Sequence, residues 1–187
     1  MMKKMTALLL SVLLVLSLSA CGQTDDSQGD RAYTPTSALD LLDKVWASYT
    51  DDEKFPVIGG NYSETELVED APGTYDLTDR AAADSGLGLP ETAAVDEAAT
   101  LVHAMNGNTF TAFACHATGD TAALAAELRD HLQQRHWMCG FPDKLAVAVV
   151  GEYVLTVYGA EDLVDGFVSH YSGICGASTV VYDEAVL

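Results

Sequence analysis

Residues 145–158, Leu-Ala-Val-Ala-Val-Val-Gly-Glu-Tyr-Val-Leu-Thr-Val-Tyr, read as two strands joined at Gly151-Glu152. The β-branched content of both arms favours extended backbone. A two-residue connection carrying glycine is what a tight hairpin needs. Hairpin strands are antiparallel neighbours, so this stretch sets the class of the sheet. Upstream, Ala98–Met105 and Thr109–Ala117 flank Asn106-Gly107-Asn108 and predict a second hairpin. Between the two, Asp120 or Thr121 caps a helix with Leu124, Leu128 and Leu132 on one stripe, stopped by Gly140 and Pro142. A helix near Ala160–Tyr171 and a strand Thr179–Tyr182 follow.

Working towards the N-terminus, a short helix is expected over Asp79–Asp84, ended by Gly86 to Pro90. Ser37 is an N-cap residue, and Leu39, Leu42, Val45, Trp46 and Tyr49 follow at spacings of three and four. That helix is expected to bury its stripe and leave Asp40, Asp43 and Lys44 in water. The predicted order of main elements is α-ββ-α-ββ-α-β. It implies an α+β, two-layer domain whose antiparallel sheet carries its helices on one face.

Residues 51–78 show little period and are broken at Phe55-Pro56, Gly59-Gly60 and Pro72-Gly73. The segment is acidic at Glu64, Glu66, Glu69 and Asp70. Its aromatic residues Phe55, Tyr62 and Tyr75 are candidate anchors for a partner.

The chain opens with Lys3 and Lys4, about a dozen mostly apolar residues from Ala7 to Leu18, and then Leu18-Ser19-Ala20-Cys21. This has the anatomy of a secretory signal, too short for a membrane-spanning helix. It resembles a bacterial lipoprotein signal, which implies cleavage before Cys21 and diacylation of its sulfur. Residues 1–20 read as the signal peptide, 21–36 (polar, with Gly and Asp) as a flexible tether, and 37–187 as one domain. The expected location is the extracytoplasmic face of the cell membrane, with the lipid on Cys21 as the anchor.

The formal charge is −19, and −21 without residues 1–20, which hold Lys3 and Lys4. Such a surface repels nucleic acid and anionic headgroups, and it complements a basic peptide or protein patch. Four cysteines occur. Beyond Cys21, the thiols Cys115, Cys139 and Cys175 either stay as small buried apolar groups or form one bridge and leave one over.

The histidines do not converge. On one helix His131 and His136 would lie about 140° apart. With a tight turn at Gly107-Asn108, His103 and His116 would sit about 13 Å apart along the hairpin. No cofactor or metal is expected, although Asp51, Asp52, Glu53 and the other acids of the segment are of the type that binds Ca²⁺. The usual hydrolase and metalloprotease motifs are missing, so a non-enzyme is expected. Trp137-Met138-Cys139-Gly140-Phe141-Pro142 has the look of a thioredoxin motif lacking its second cysteine, and it is also accounted for as a helix stop.

Val95-Asp96-Glu97 followed by a hairpin, a helix and Asp143–Leu155 resembles the clostridial lipoprotein family known as domain of unknown function 4358, over about Leu89 to Ser172. The sequences Val45-Trp46-Ala47-Ser48-Tyr49 and 137–142 are similar to relatives labelled bacteriocin transport accessory protein, a label that implies a thioredoxin-like domain. The expected function is a non-catalytic binding or accessory module for an unknown protein or peptide. Two alternatives are a thiol-active protein using Cys139 and a divalent-cation-binding domain.

Overall fold

Antiparallel pairing runs through the whole sheet. The computed structural model describes residues 33–61 and 67–187. Residues 1–32, with the expected signal, Cys21 and most of the expected tether, lie outside the described residues. The elements are α1 (Ala38–Trp46), β1 (Val57–Gly59), β2 (Val68–Glu69), β3 (Gly73–Tyr75), α2 (Arg80–Leu87), β4 (Val95–His103) and β5 (Phe110–Ala117). Then come α3 (Thr121–Gln133), β6 (Lys144–Val150), β7 (Tyr153–Gly159), α4 (Glu161–Cys175) and β8 (Val180–Ala185). The sheet order is β2-β1-β4-β5-β7-β6-β8, with β3 also paired to β4. The class is α+β, as the hairpins imply.

The layering departs from expectation, because helices cover both faces rather than one. On one side α1 and α4 bury Leu41, Leu42, Val45, Val164 and Phe167 against Ala112, Ala114, Ala146 and Val157. On the other, α2 and α3 bury Leu87, Leu124, Leu128 and Leu132 against Phe113, Cys115, Val147 and Val154. The cause is in the strands. β5, β6 and β7 are apolar at nearly every position, so each presents a hydrophobic side to both faces. A one-sided cover would have left half of these residues wet.

Side chains fix three of the helix starts. Ser37 Oγ accepts from Asp40 N (2.9 Å), Asp79 Oδ1 from Ala82 N (2.9 Å), and Asp120 Oδ1 from Ala122 N (2.8 Å). The domain also begins earlier than residue 37. Tyr33 donates its hydroxyl hydrogen to Asp40 O (3.1 Å), Thr36 N donates to Asp40 Oδ2 (2.8 Å), and Pro35 is buried. The last four residues of the expected tether are therefore held against α1.

The 151–152 turn forms as expected, with Val150 opposite Tyr153. The first hairpin does not close at Gly107-Asn108. Leu101 faces Ala112, and residues 104–109 form a six-residue connection between the strands. His103 and His116 are therefore further apart than a tight turn would place them. His136 lies beyond the end of α3, so it shares no helix with His131. The described parts of the aperiodic segment 51–78 are ordered into short strands. They contribute β1, β2 and β3, and Gly59 allows the closest approach, since a Cβ there would lie 2.1 Å from Gly73 N.

His116 at the end of β5 holds Asp96 at 2.6 Å through Nδ1. That hydrogen bond raises the imidazole pKa above its ordinary value, opposed by partial desolvation. A raised folded-state pKa adds stability fully present below about pH 6.5 and lost as pH rises through the folded value. Both groups are partly exposed, so the contribution is at most about 1 kcal/mol. The melting temperature of His116→Gln should approach that of the parent as pH climbs from 6 to 9. A gap that stays constant would show that the pair adds nothing.

Candidate functional site

Two irregular segments meet at the His103 end of the sheet. In the 104–109 connection, Asn106 and Asn108 take turn conformations and turn their amides across to the chain that follows α3. Asn106 Nδ2 donates to Cys139 O (2.9 Å), and Asn108 Nδ2 donates to Met138 O (2.6 Å) and Gly140 O (3.1 Å). These bonds staple the segments into a rim. Behind the rim stand Ile58 of β1, Val102 of β4, Tyr158 of β7 and the C-terminal turn of α2 at Asp84 to Gly86. Together they enclose a cleft of about 610 Å³, in the size range of small-molecule sites. Hollows of about 130 and 190 Å³ lie beside Asp143 and beside His170.

The rim is apolar and wet. Met105 is 85% exposed, Met138 80% and Phe141 57%. Single exposed apolar residues are ordinary, but Met105 and Met138 line the same cleft from the two stapled segments, and Phe141 lines the smaller hollow beside Asp143. The wall is polar. Arg135 donates through Nη2 to Ser85 O, and its guanidinium lies 5.0 Å from the centre of the Trp137 ring. Arg135 Nη1 and Trp137 Nε1 are buried and make no well-formed hydrogen bond within the protein. Asp84 is held by His131 Nε2 at 2.7 Å. His103 Nδ1 accepts from Met105 N (3.2 Å), which leaves the hydrogen of the neutral ring on Nε2. Burial pushes the Tyr158 phenol pKa up, partly offset by the Arg135 charge, so the hydroxyl stays protonated at neutral pH.

No family model, curated protein or solved structure matches this chain.

The site is therefore read from its own chemistry. Of the residues singled out in the sequence, Cys139 is at the cleft, exposed, and held at φ +62°. A left-handed backbone at a residue other than glycine costs about 1–2 kcal/mol. Cys139→Gly is expected to raise stability by up to about 1 kcal/mol, the relief of strain less the added chain entropy of glycine. A lower urea midpoint for that variant would show that the thiol itself holds the segment.

Cys115 and Cys175 are free and buried, with burial pushing their thiols up to about 12 and about 11. Every pairing in the sheet is antiparallel, so it contains no parallel βαβ unit of the thioredoxin kind.

Two of the expected anchors in the acidic segment, Phe55 and Tyr75, are packed into the protein. Tyr75 is buried in the core beneath α2, because β3 turns it inward against β4. Phe55 is half-buried, packed edge-on against Trp46 and Phe110 and stacked on His103. Tyr62, Glu64 and Glu66 lie outside the described residues. Among the described residues no three metal-ligating side chains converge, and no helix is long and apolar enough to cross a membrane.

A second cluster invites comparison with a hydrolytic triad. Ser48 Oγ is 2.9 Å from His170 Nδ1, and Glu53 Oε1 is 3.7 Å from His170 Nε2. However, Ser48 donates its hydroxyl hydrogen to Val45 O at 2.6 Å, so it can only accept from the imidazole. Glu53 spends Oε2 on Thr50 N and Thr50 Oγ1. The cluster caps the end of α1 and does not prepare a nucleophile. What sequence reading missed was the rim, and one signal was available. Beyond residues 1–20, the chain's methionines are Met105 and Met138.

Proposed function

We propose that this chain is an extracytoplasmic lipoprotein, anchored through Cys21, whose domain is a non-catalytic binding or accessory module with the rimmed cleft as its recognition site. The observation that carries the reading is the pair of exposed methionines, Met105 and Met138, lining a cavity large enough for a ligand. Methionine suits such a rim because its flexible thioether adapts to varied shapes.

The entry point of the chain supports the same reading. Ala38 N donates to Glu97 Oε1 at the start of β4, whereas the cleft adjoins His103 at its far end. Glu97 and His103 are six residues apart along the strand, about 20 Å at 3.3 Å per residue. Within the domain, the cleft is thus remote from the residues by which its chain enters. The likeness to clostridial lipoproteins belongs to this proposal and assigns no residue a role.

Two measurements test it. Cys21→Ser should release the protein from the membrane fraction, and retention there would remove the anchor. Methyl-labelled methionine spectra of the full chain should show Met105 and Met138 shifting together on titration with small apolar fragments. Fragments that leave both methyls in place would remove the cleft.

The exposed Cys139 favours a second, thiol-active reading. It requires rapid alkylation of that thiol at neutral pH in the folded protein. A rate no faster than that of a free thiol ends it.

A further inference from the structure

We infer that the ligand of this cleft carries a carboxylate beside an apolar body, with the carboxylate taken by Arg135 and the body by the methionine rim. The inference rests on the cleft being the recognition site. The chain has 28 acidic residues, yet among the described residues Asp84 is the one acid lining the cleft, and His131 already holds its carboxylate. The lining otherwise contributes Arg135, His103 and His136, so it lacks the negative charge that dominates the protein. Repulsion from acids further off is screened beyond about 8 Å at physiological ionic strength.

Arg135 meets no carboxylate among the described residues. Its guanidinium is held by a backbone carbonyl and an aromatic face beside the Tyr158 hydroxyl, with which it interacts, and Nη1 makes no well-formed hydrogen bond. Trp137 Nε1, on the same wall, is a second unmatched donor. A carboxylate offers two oxygens to the guanidinium fork, with charge-assisted hydrogen bonds stronger than the one made to Ser85 O. Both unmatched nitrogens are covered in the free cleft. The contact forms when Arg135 turns from the α2 carbonyl towards the cavity it already lines.

The exposed side chains of Met105 and Met138 then close over the apolar part of the ligand. A basic ligand would meet Arg135 and the histidines, so the complementarity expected from net charge is reversed at this pole. The same chemistry is offered by a free aryl or alkyl carboxylic acid and by the C-terminus of an apolar peptide.

The test compares acids with their amides by calorimetry on the full chain in lipid nanodiscs. Phenylbutyrate is paired with phenylbutanamide, and the tripeptide Ala-Leu-Phe is paired with its C-terminal amide. Expected is about ten-fold or greater preference for the acid, a difference of about 1.4 kcal/mol, with the Trp137 indole resonance shifting on binding. Arg135→Gln should abolish the preference, and Arg135→Lys should keep part of it. If Arg135→Gln fails to fold, the acid-to-amide ratio in the parent decides alone. Tighter binding of the tripeptide acid identifies a peptide terminus, and tighter binding of phenylbutyrate identifies a free acid. Equal affinity for acid and amide, with the Met105 and Met138 methyls still shifting, overturns the carboxylate and leaves the cleft standing. Absence of binding by all four probes overturns both.

Discussion

Gly159→Ala is expected to cost more than about 3 kcal/mol and to leave the domain unfolded or barely folded at 37 °C. Gly159 ends β7 where three strands meet, opposite Phe110 on one side and Lys144 on the other. Its φ is +152°, and a Cβ there would lie 2.3 Å from Thr109 O and 2.8 Å from Phe110 Cα. Those are backbone atoms, so relief demands that β5 move away from β7. The Gly159 carbonyl also accepts from Asp143 N (2.8 Å), which ties the start of β6 to the same point. Backbone strain and a displaced ladder act together at this junction. Against a typical total of about 5–15 kcal/mol, the loss is a large share. Urea unfolding followed by circular dichroism checks it, and a change below about 1 kcal/mol would show that the strands are not so closely joined.

Phe110→Ala should cost about 3–5 kcal/mol, the range for emptying a buried aromatic site. Phe110 is fully buried at the start of β5. Its ring lies 5.0 Å from Phe55 and 5.5 Å from Phe167, so it joins the 51–56 segment to α4 across one face of the sheet. These two neighbours come from distant parts of the chain and cannot easily collapse into the space. Phe141→Ala is the control, because that ring stands in water at the rim and its loss should change stability by less than about 0.5 kcal/mol. Similar losses in the two variants would show that Phe110 and Phe141 do not divide into core and rim.

That division was only half legible beforehand. The five main strands, the helices α1 and α4, the start of α3 and the turn at 151–152 follow from local signals, whereas α3 ends at Gln133, well short of the stop expected at Gly140 and Pro142. Ser37 and Asp120 cap what the periodicity then continues, and Gly151-Glu152 leaves no room for anything but a hairpin. The connection at 104–109 did not follow, because Asn106 and Asn108 spend their side chains on carbonyls thirty or more residues away. Such long-range bonds leave no periodic trace. Phe55 and Tyr75 read as exposed anchors because their segment lacks period. Short strands paired to β4 give that segment its order and turn both rings inward.

The amino-acid sequence by itself determined that this chain builds an antiparallel α+β domain, since hairpin turns and helix caps act within a few residues and need no partner. The tertiary structure alone decided that helices shield both faces of the sheet and that a cleft opens at the end remote from chain entry. It also set apart Met105, Met138 and Phe141 as rim and Phe55 and Tyr75 as packed interior. Burial is a property of what covers a residue. That cover comes here from segments distant along the chain, which local pattern cannot register.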